Sequence, residues 1–93
     1  MIQSFSCDET QRLHIGETST GIPNQIQRVA RRKLLMLDAA VELTDLRIPP
    51  NNKLEALKGD RKGQHSIRVN DQWRICFKWS TAGPRDVEVV DYH

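Results

Sequence analysis

No apolar run in this 93-residue chain approaches the ~18 residues that a membrane-spanning helix requires. The opening, Met1-Ile2-Gln3-Ser4-Phe5, lacks the basic and apolar regions of a secretory leader, which argues against export. Cysteine is scarce: Cys7 and Cys76 make neither a disulfide framework nor a metal-ligand spacing. Both are expected as reduced thiols, since a free Cys behaves as a small buried hydrophobe; a Cys7–Cys76 disulfide is the lesser alternative. Internal repeats and low-complexity stretches are also missing. A hydrophobic content of 38% and a charged content of 28% fit one soluble globular domain over residues 1–93 and argue against disorder. A cytosolic location is the matching expectation.

The net charge of +2 says little until it is localised. Residues 28–33 hold Arg28, Arg31, Arg32 and Lys33 with no acid, a local surplus of four. Between residues 53 and 78, seven basic residues stand against three acidic ones, another surplus of four, so the remainder of the chain carries −6. Segregation of this kind favours a polyanionic partner such as nucleic acid. On charge alone, Lys and Arg that merely keep a small domain in solution explain it equally well.

The chain divides by its period. Residues 1–6 alternate and can open a sheet as a first strand. Residues 8–14 look helical, and residues 16–21 form a loop. Pro23 suits the first turn of a helix, and Ile26, Val29, Ala30, Leu34, Leu37, Ala40 and Val41 then recur at three- and four-residue steps, an amphipathic stripe. Arg28, Arg31 and Arg32 fall mainly off it. A helix over 23–46 is long for this chain, so a break is expected near residues 38–42. Pro49-Pro50-Asn51-Asn52 ends the helical region. From Lys53 the period becomes two: a short strand over 53–57, a charged turn over 58–63, strands over 64–69 and 73–79, a turn at Ala82-Gly83-Pro84 and a last strand over 86–92. Helices followed by a run of antiparallel strands read as α+β.

The central hairpin can be registered from the sequence. A three-residue loop, Asn70-Asp71-Gln72, pairs Val69 with Trp73, Ile67 with Ile75 and Arg68 with Arg74, keeping apolar against apolar; a two-residue loop does not. Trp73, Ile75, Phe77 and Trp79 then form a core face with His65, Ile67 and Val69. Arg68, Arg74 and Lys78 share the opposite face, where their mutual repulsion suggests compensation by a bound anion.

These residues carry a resemblance. The motifs L-K-G-D-R (57–61), S-I-x-V (66–69), W-R-I-x-F (73–77) and terminal D-Y-H (91–93), in this order, resemble the HigB toxins, the plasmid-maintenance killer-protein branch of the RelE/ParE superfamily. Residues 1–5 resemble that family's opening strand and residues 37–40 its central helix. The resemblance implies a RelE-like α+β fold in which an N-terminal strand and helices pack on one face of an antiparallel sheet. It implies a toxin of a type II toxin–antitoxin pair that cleaves messenger RNA in the ribosomal A site and blocks translation and growth. The implied partners are a helix-turn-helix antitoxin, the ribosome and mRNA, with a toxin monomeric alone and in a higher-order complex with antitoxin. No metal or other cofactor is expected. A toxin of the same fold acting by protein binding, as gyrase inhibitors do, and a basic RNA-binding module without toxicity are the alternatives.

Metal-free RNA cleavage needs a group that deprotonates the 2′-OH, a cation for the phosphorane-like charge and an acid for the departing 5′-oxygen. Arg74, always cationic and able to hold phosphate bidentately, matches the family's W-R motif and is the expected charge stabiliser. His93 in the terminal D-Y-H suits proton transfer by its intrinsic pKa, as though the chain's end were itself part of the site. Tyr92 suits stacking on or positioning a base, and Asp91 orienting His93 or an arginine. Lys58, in the family's L-K-G, suits a phosphate contact. Glu55 stands where some relatives carry a His and is retained as a possible base. Lys53, Arg61, Lys62, Arg68 and Lys78 are expected to contact RNA or the ribosome, and His65 to be structural.

Overall fold

The computed structural model describes residues 1–91; Tyr92 and His93 lie outside the described residues, and with them the roles expected of those two. Two helices precede a four-stranded antiparallel sheet: α1 (Asp8–His14), α2 (Asn24–Ala39), β1 (Glu55–Ala56), β2 (His65–Arg68), β3 (Trp73–Ser80) and β4 (Gly83–Asp91), with the strands adjacent in chain order. This is the expected α+β arrangement. Among the described residues no helix is long and apolar enough to cross a membrane.

The apolar stripe of α2 sets the packing. Ile26, Ala30, Leu34 and Leu37 are all buried and meet Leu13 of α1, Ile67 of β2, Ile75 and Phe77 of β3, and Val87 and Val89 of β4. Complete burial of a side chain such as Phe77 contributes about 1.5–3 kcal/mol. The break expected at the end of α2 is present: α2 stops at Ala39 and a 3-10 turn (Leu43–Arg47) follows, opened by a reciprocal Glu42/Asp45 capping box. Pro23 caps α2 rather than occupying its first turn. Val41 leaves the stripe and is 84% exposed, because the chain turns away where the helix ends.

The hairpin register is the one expected, Ile67 opposite Ile75 and Arg68 opposite Arg74. The Val69 amide donates to the Trp73 carbonyl at 2.9 Å, and the side chain of Asn70 closes the turn by accepting from the Gln72 and Trp73 amides. His65 stacks on Phe77, with ring centroids 6.3 Å apart, on the core face. Both cysteines are free.

The expected opening strand is not a regular strand. Residues 1–6 run beside β4 and make one isolated parallel bridge, Phe5 to Val87. The cause lies in β4, whose pairing with β3 shifts by one residue between Cys76 and Lys78. The extra residue falls near Asp86, which has a left-handed φ of 53° and donates its amide to the Ser4 hydroxyl at 2.9 Å instead of a ladder carbonyl. Thr10 ties α1 to the same strand by accepting the Val89 amide at 3.0 Å, so the free edge of β4 is met partly by backbone bonds to residues 3–6 and partly by the Ser4 and Thr10 hydroxyls.

Candidate functional site

Pleat parity places Arg74, Cys76 and Lys78 on the face of β3 turned away from the helices, with Ser66 and Arg68 beside them on β2 and Glu88 on β4. β1 adds Glu55, directly opposite Ser66. The Arg74 guanidinium is clamped among these elements. Its Nε donates to the Ser66 hydroxyl at 2.8 Å, an Nη donates to the Lys53 carbonyl at 2.8 Å, and the other Nη lies 3.4 Å from a Glu55 carboxylate oxygen. The Arg74 side chain retains only 15% exposure. Lys53 presents that carbonyl from a left-handed turn, with φ 47°, as the C-cap of a 3-10 turn, Pro50–Asn52.

The repulsion that suggested compensation by a bound anion is already relieved from within the chain. Acids of the chain itself supply the charge: Glu55 for Arg74 at 3.4 Å, Glu88 for Arg61 at 3.5 Å, Asp86 for Lys78 at 3.5 Å, and Asp71 for Arg68. Arg68 and Arg74 thus stand opposite each other in the ladder, each with its own acid. All four pairs are partly solvated, and such contacts contribute about 0–1 kcal/mol each. A phosphodiester can therefore displace a carboxylate here at small cost.

The charged turn after β1 contains a 3-10 turn, Gly59–Arg61, with Lys58 as its N-cap. Arg61 extends from it to both Gln64 and Glu88, bridging the sheet from β2 to β4. Cys76 lies between this bridge and the Arg74–Glu55 pair and is completely buried although it is on the face away from the helices. Burial, chiefly, pushes its thiol above the ordinary range, opposed by the nearby Arg61. Lys58 and Lys62 are exposed and make no ion pair among the described residues.

Asp91 is placed differently. It pairs with Trp73, while Val90 pairs with Arg74, so Asp91 has the opposite pleat parity to Arg74. Its carboxylate accepts from the Gln72 side-chain Nε2 at 3.1 Å. The structure thus gathers Glu55, Arg74 and Arg68 around one patch, sets Lys53 against it through a backbone carbonyl, places Lys78 further along β3, and carries Lys58, Arg61 and Lys62 on the adjoining turn. The sequence reading missed Ser66, which parity with Arg74 across the register already placed on this face. It also missed Lys33, which continues the spacing of Ile26 and Ala30 and is only 3% exposed.

A family model described as the RelE-like toxin HigB of type II toxin–antitoxin systems matches residues 3–93. The chain belongs to this HigB family of RelE-like toxins. It is 53% identical over 58 residues to Toxin HigB-1 of Vibrio cholerae serotype O1, covering 62% of this chain and 61% of that protein. It is 42% identical over 64 residues to an uncharacterized protein of Haemophilus influenzae, covering 69% of this chain and 63% of that one. The chain therefore spans under two thirds of the length of these two relatives. The Endoribonuclease HigB of Proteus vulgaris is 33% identical over 93 residues, the whole of both chains. Within the HigB-like match, the Arg74 side chain is held by β1, β2 and the turn before β1.

Proposed function

We propose that the protein is a growth-inhibiting toxin that acts in the bacterial cytoplasm as an endoribonuclease on mRNA held in the ribosomal A site, and that a helix-turn-helix antitoxin neutralises it. The observation that carries this reading is Arg74: an arginine at the start of β3 with a preset guanidinium, in a family whose Proteus member bears the name endoribonuclease. Ser66 and the Lys53 carbonyl fix the plane of the fork before substrate arrives, so charge developing on a phosphate meets an already oriented cation.

In the proposed reaction the scissile phosphate takes the place of the Glu55 carboxylate at Arg74. The ribose 2′-oxygen bonds to phosphorus as its proton passes to solvent water, and the bond to the 5′-oxygen breaks as that oxygen takes up a proton. The products are a 2′,3′-cyclic phosphate and a 5′-hydroxyl. His93 is assigned the proton given to that oxygen, Tyr92 the flanking base, and Lys58 a neighbouring phosphate. Glu55 holds Arg74 in the absence of substrate. Dependence on the ribosome follows from the shortage of a strong general base among the described residues: in-line geometry then has to come from the bound mRNA. The chemistry assigned to these side chains needs no metal.

Primer-extension mapping after induced expression in a bacterium tests the proposal. Cuts inside translated frames, lost in an Arg74→Ala variant, are expected. Growth arrest with DNA damage and no cuts indicates a protein-binding toxin instead, and unimpaired growth with the protein present and folded indicates a non-toxic RNA-binding module.

A further inference from the structure

A second basic feature lies apart from the Arg74 clamp. A cleft of about 240 Å³ opens between α2 and the β2–β3 turn, lined by Arg32, Lys33 and Arg68, with Asn51 and Asn70 at its edges and no acidic residue in its wall. Lys33 is the unusual member. Its side chain projects from the buried stripe of α2, and its ammonium donates to the Asn52 side-chain oxygen, itself completely buried. No carboxylate pairs with it among the described residues. Burial, with the neighbouring Arg32 charge, holds its amine below the usual lysine range. An ammonium has three donors, and Asn52 accepts from one.

A purely structural role does not account for a cation here. The Asn52 amide group is occupied by the Leu46 and Ile48 carbonyls, so Lys33 has only one acceptor to satisfy. A neutral donor would serve it without the desolvation penalty of a buried charge. Arg32 is exposed and has no ion-pair partner among the described residues, and Asp71, the acid beside Arg68, is 97% exposed and easily displaced. Three basic residues, Arg32, Lys33 and Arg68, therefore line one cleft whose wall holds no acid.

We infer that this cleft is a phosphate-binding pocket formed by Arg32, Lys33 and Arg68, and that its occupant is a backbone phosphate of RNA. The RNA occupant rests on the RNA-cleaving reading above, whereas the phosphate chemistry does not. Arg68 lies directly opposite Arg74 in the β2–β3 ladder, so the pocket adjoins the clamp. A strand whose scissile phosphate sits at Arg74 passes the cleft and places another phosphate in it. Such a contact positions the strand along its length and reads no base identity.

The test titrates the full chain, observed by amide NMR, with inorganic phosphate against chloride at matched ionic strength. A parallel titration uses a short RNA 2′-O-methylated at every ribose, which cannot be cleaved by 2′-attack. Saturable shifts at residues 29–33 and 68–70 are expected with phosphate and not with chloride. Arg32→Ala and Lys33→Met should each weaken phosphate binding about tenfold, the effect of one charge-assisted hydrogen bond. Arg32 is exposed, so its variant remains informative if Lys33→Met fails to fold. The RNA should move the same amides and compete with phosphate. Shifts that do not saturate, or that the folded variants leave unchanged, overturn the pocket. Phosphate binding with no response to RNA overturns the RNA occupant. The cleavage reading fails separately, by persistent cutting in Arg74→Ala, which leaves the phosphate titration intact.

Discussion

Replacing Arg74 with alanine should separate what the clamp does for stability from what it does for chemistry. The substitution removes a charge-assisted bond to the buried Ser66 hydroxyl and another to the Lys53 carbonyl. Hydrogen bonds to charged groups contribute about 1.5–3 kcal/mol each. The Lys53 backbone is exposed and regains water, and the Glu55 pair is half-solvated, so both count for little. Relief of the Arg68–Arg74 juxtaposition offsets part of the remainder. A net loss of about 2 kcal/mol results, which lowers Tm by about 8–16 °C in a domain of this size. Cleavage of ribosome-bound mRNA, measured well below the variant's Tm, should fall about 10²–10³-fold, the effect of losing one preorganised donor to developing charge. Arg74→Lys keeps the charge but cannot hold Ser66, Lys53 and a phosphate in one planar fork, so it should recover much less than full activity. A folded Arg74→Ala protein that cuts at the native rate refutes the role assigned to the guanidinium. An unchanged Tm refutes the clamp.

Other tests bear on neighbouring parts of the molecule. Glu55→Gln should keep cleavage within about threefold, as expected for removal of an exposed counter-ion pair; a loss of tenfold or more in the same assay would make Glu55 the base. Gly83→Ala should cost about 1–3 kcal/mol in chemical denaturation, because φ there is 133° and the added methyl carbon would lie 2.2 Å from the Met1 carbonyl oxygen; a neutral result contradicts the close approach of residues 1–6 to β4. Glu9 accepts hydrogen bonds from the Ser19 hydroxyl and the Gly21 amide and lies near Arg12, which together lower its pKa below the ordinary 4.5. Its contribution to stability is complete above pH 4.5 and is lost as pH falls through the lower folded value. Thermal melts in acid should show this loss in the native chain, and Glu9→Gln should remove it.

Particular elements show how far the sequence carried. The β2–β3 register followed from matching apolar residues across a three-residue turn, because slipping one position would turn every core side chain to the other face. The end of α2 was legible from length, since a helix over 23–46 is long for a chain of this size and a break near residues 38–42 was expected. Residues 1–6 were misjudged as a strand because alternation reports which side chains face inward and not whether the partner strand is regular; the irregularity lies in β4 at Asp86. The site was half legible. Arg74, Arg68 and Lys78 were placed on one face by parity alone, and the family motifs singled out Arg74. Their partners were not legible, since Glu55, Asp86 and Glu88 are brought in by other elements.

By itself, then, the sequence determined the class of fold, the hairpin register and the separation of a core face from a charged face, because these depend on local periodicity and steric pairing. It also carried the family. Only the tertiary structure decided the state of the charges. Folding the turn at Gly59–Arg61 over the sheet closed Cys76 beneath an Arg61–Glu88 bridge, and docking β1 beside β2 delivered Glu55 to Arg74. Packing α2 against the sheet left Lys33 buried without an acidic partner among the described residues. Electrostatic compensation depends on distances between segments far apart in the chain, so no periodicity encodes it.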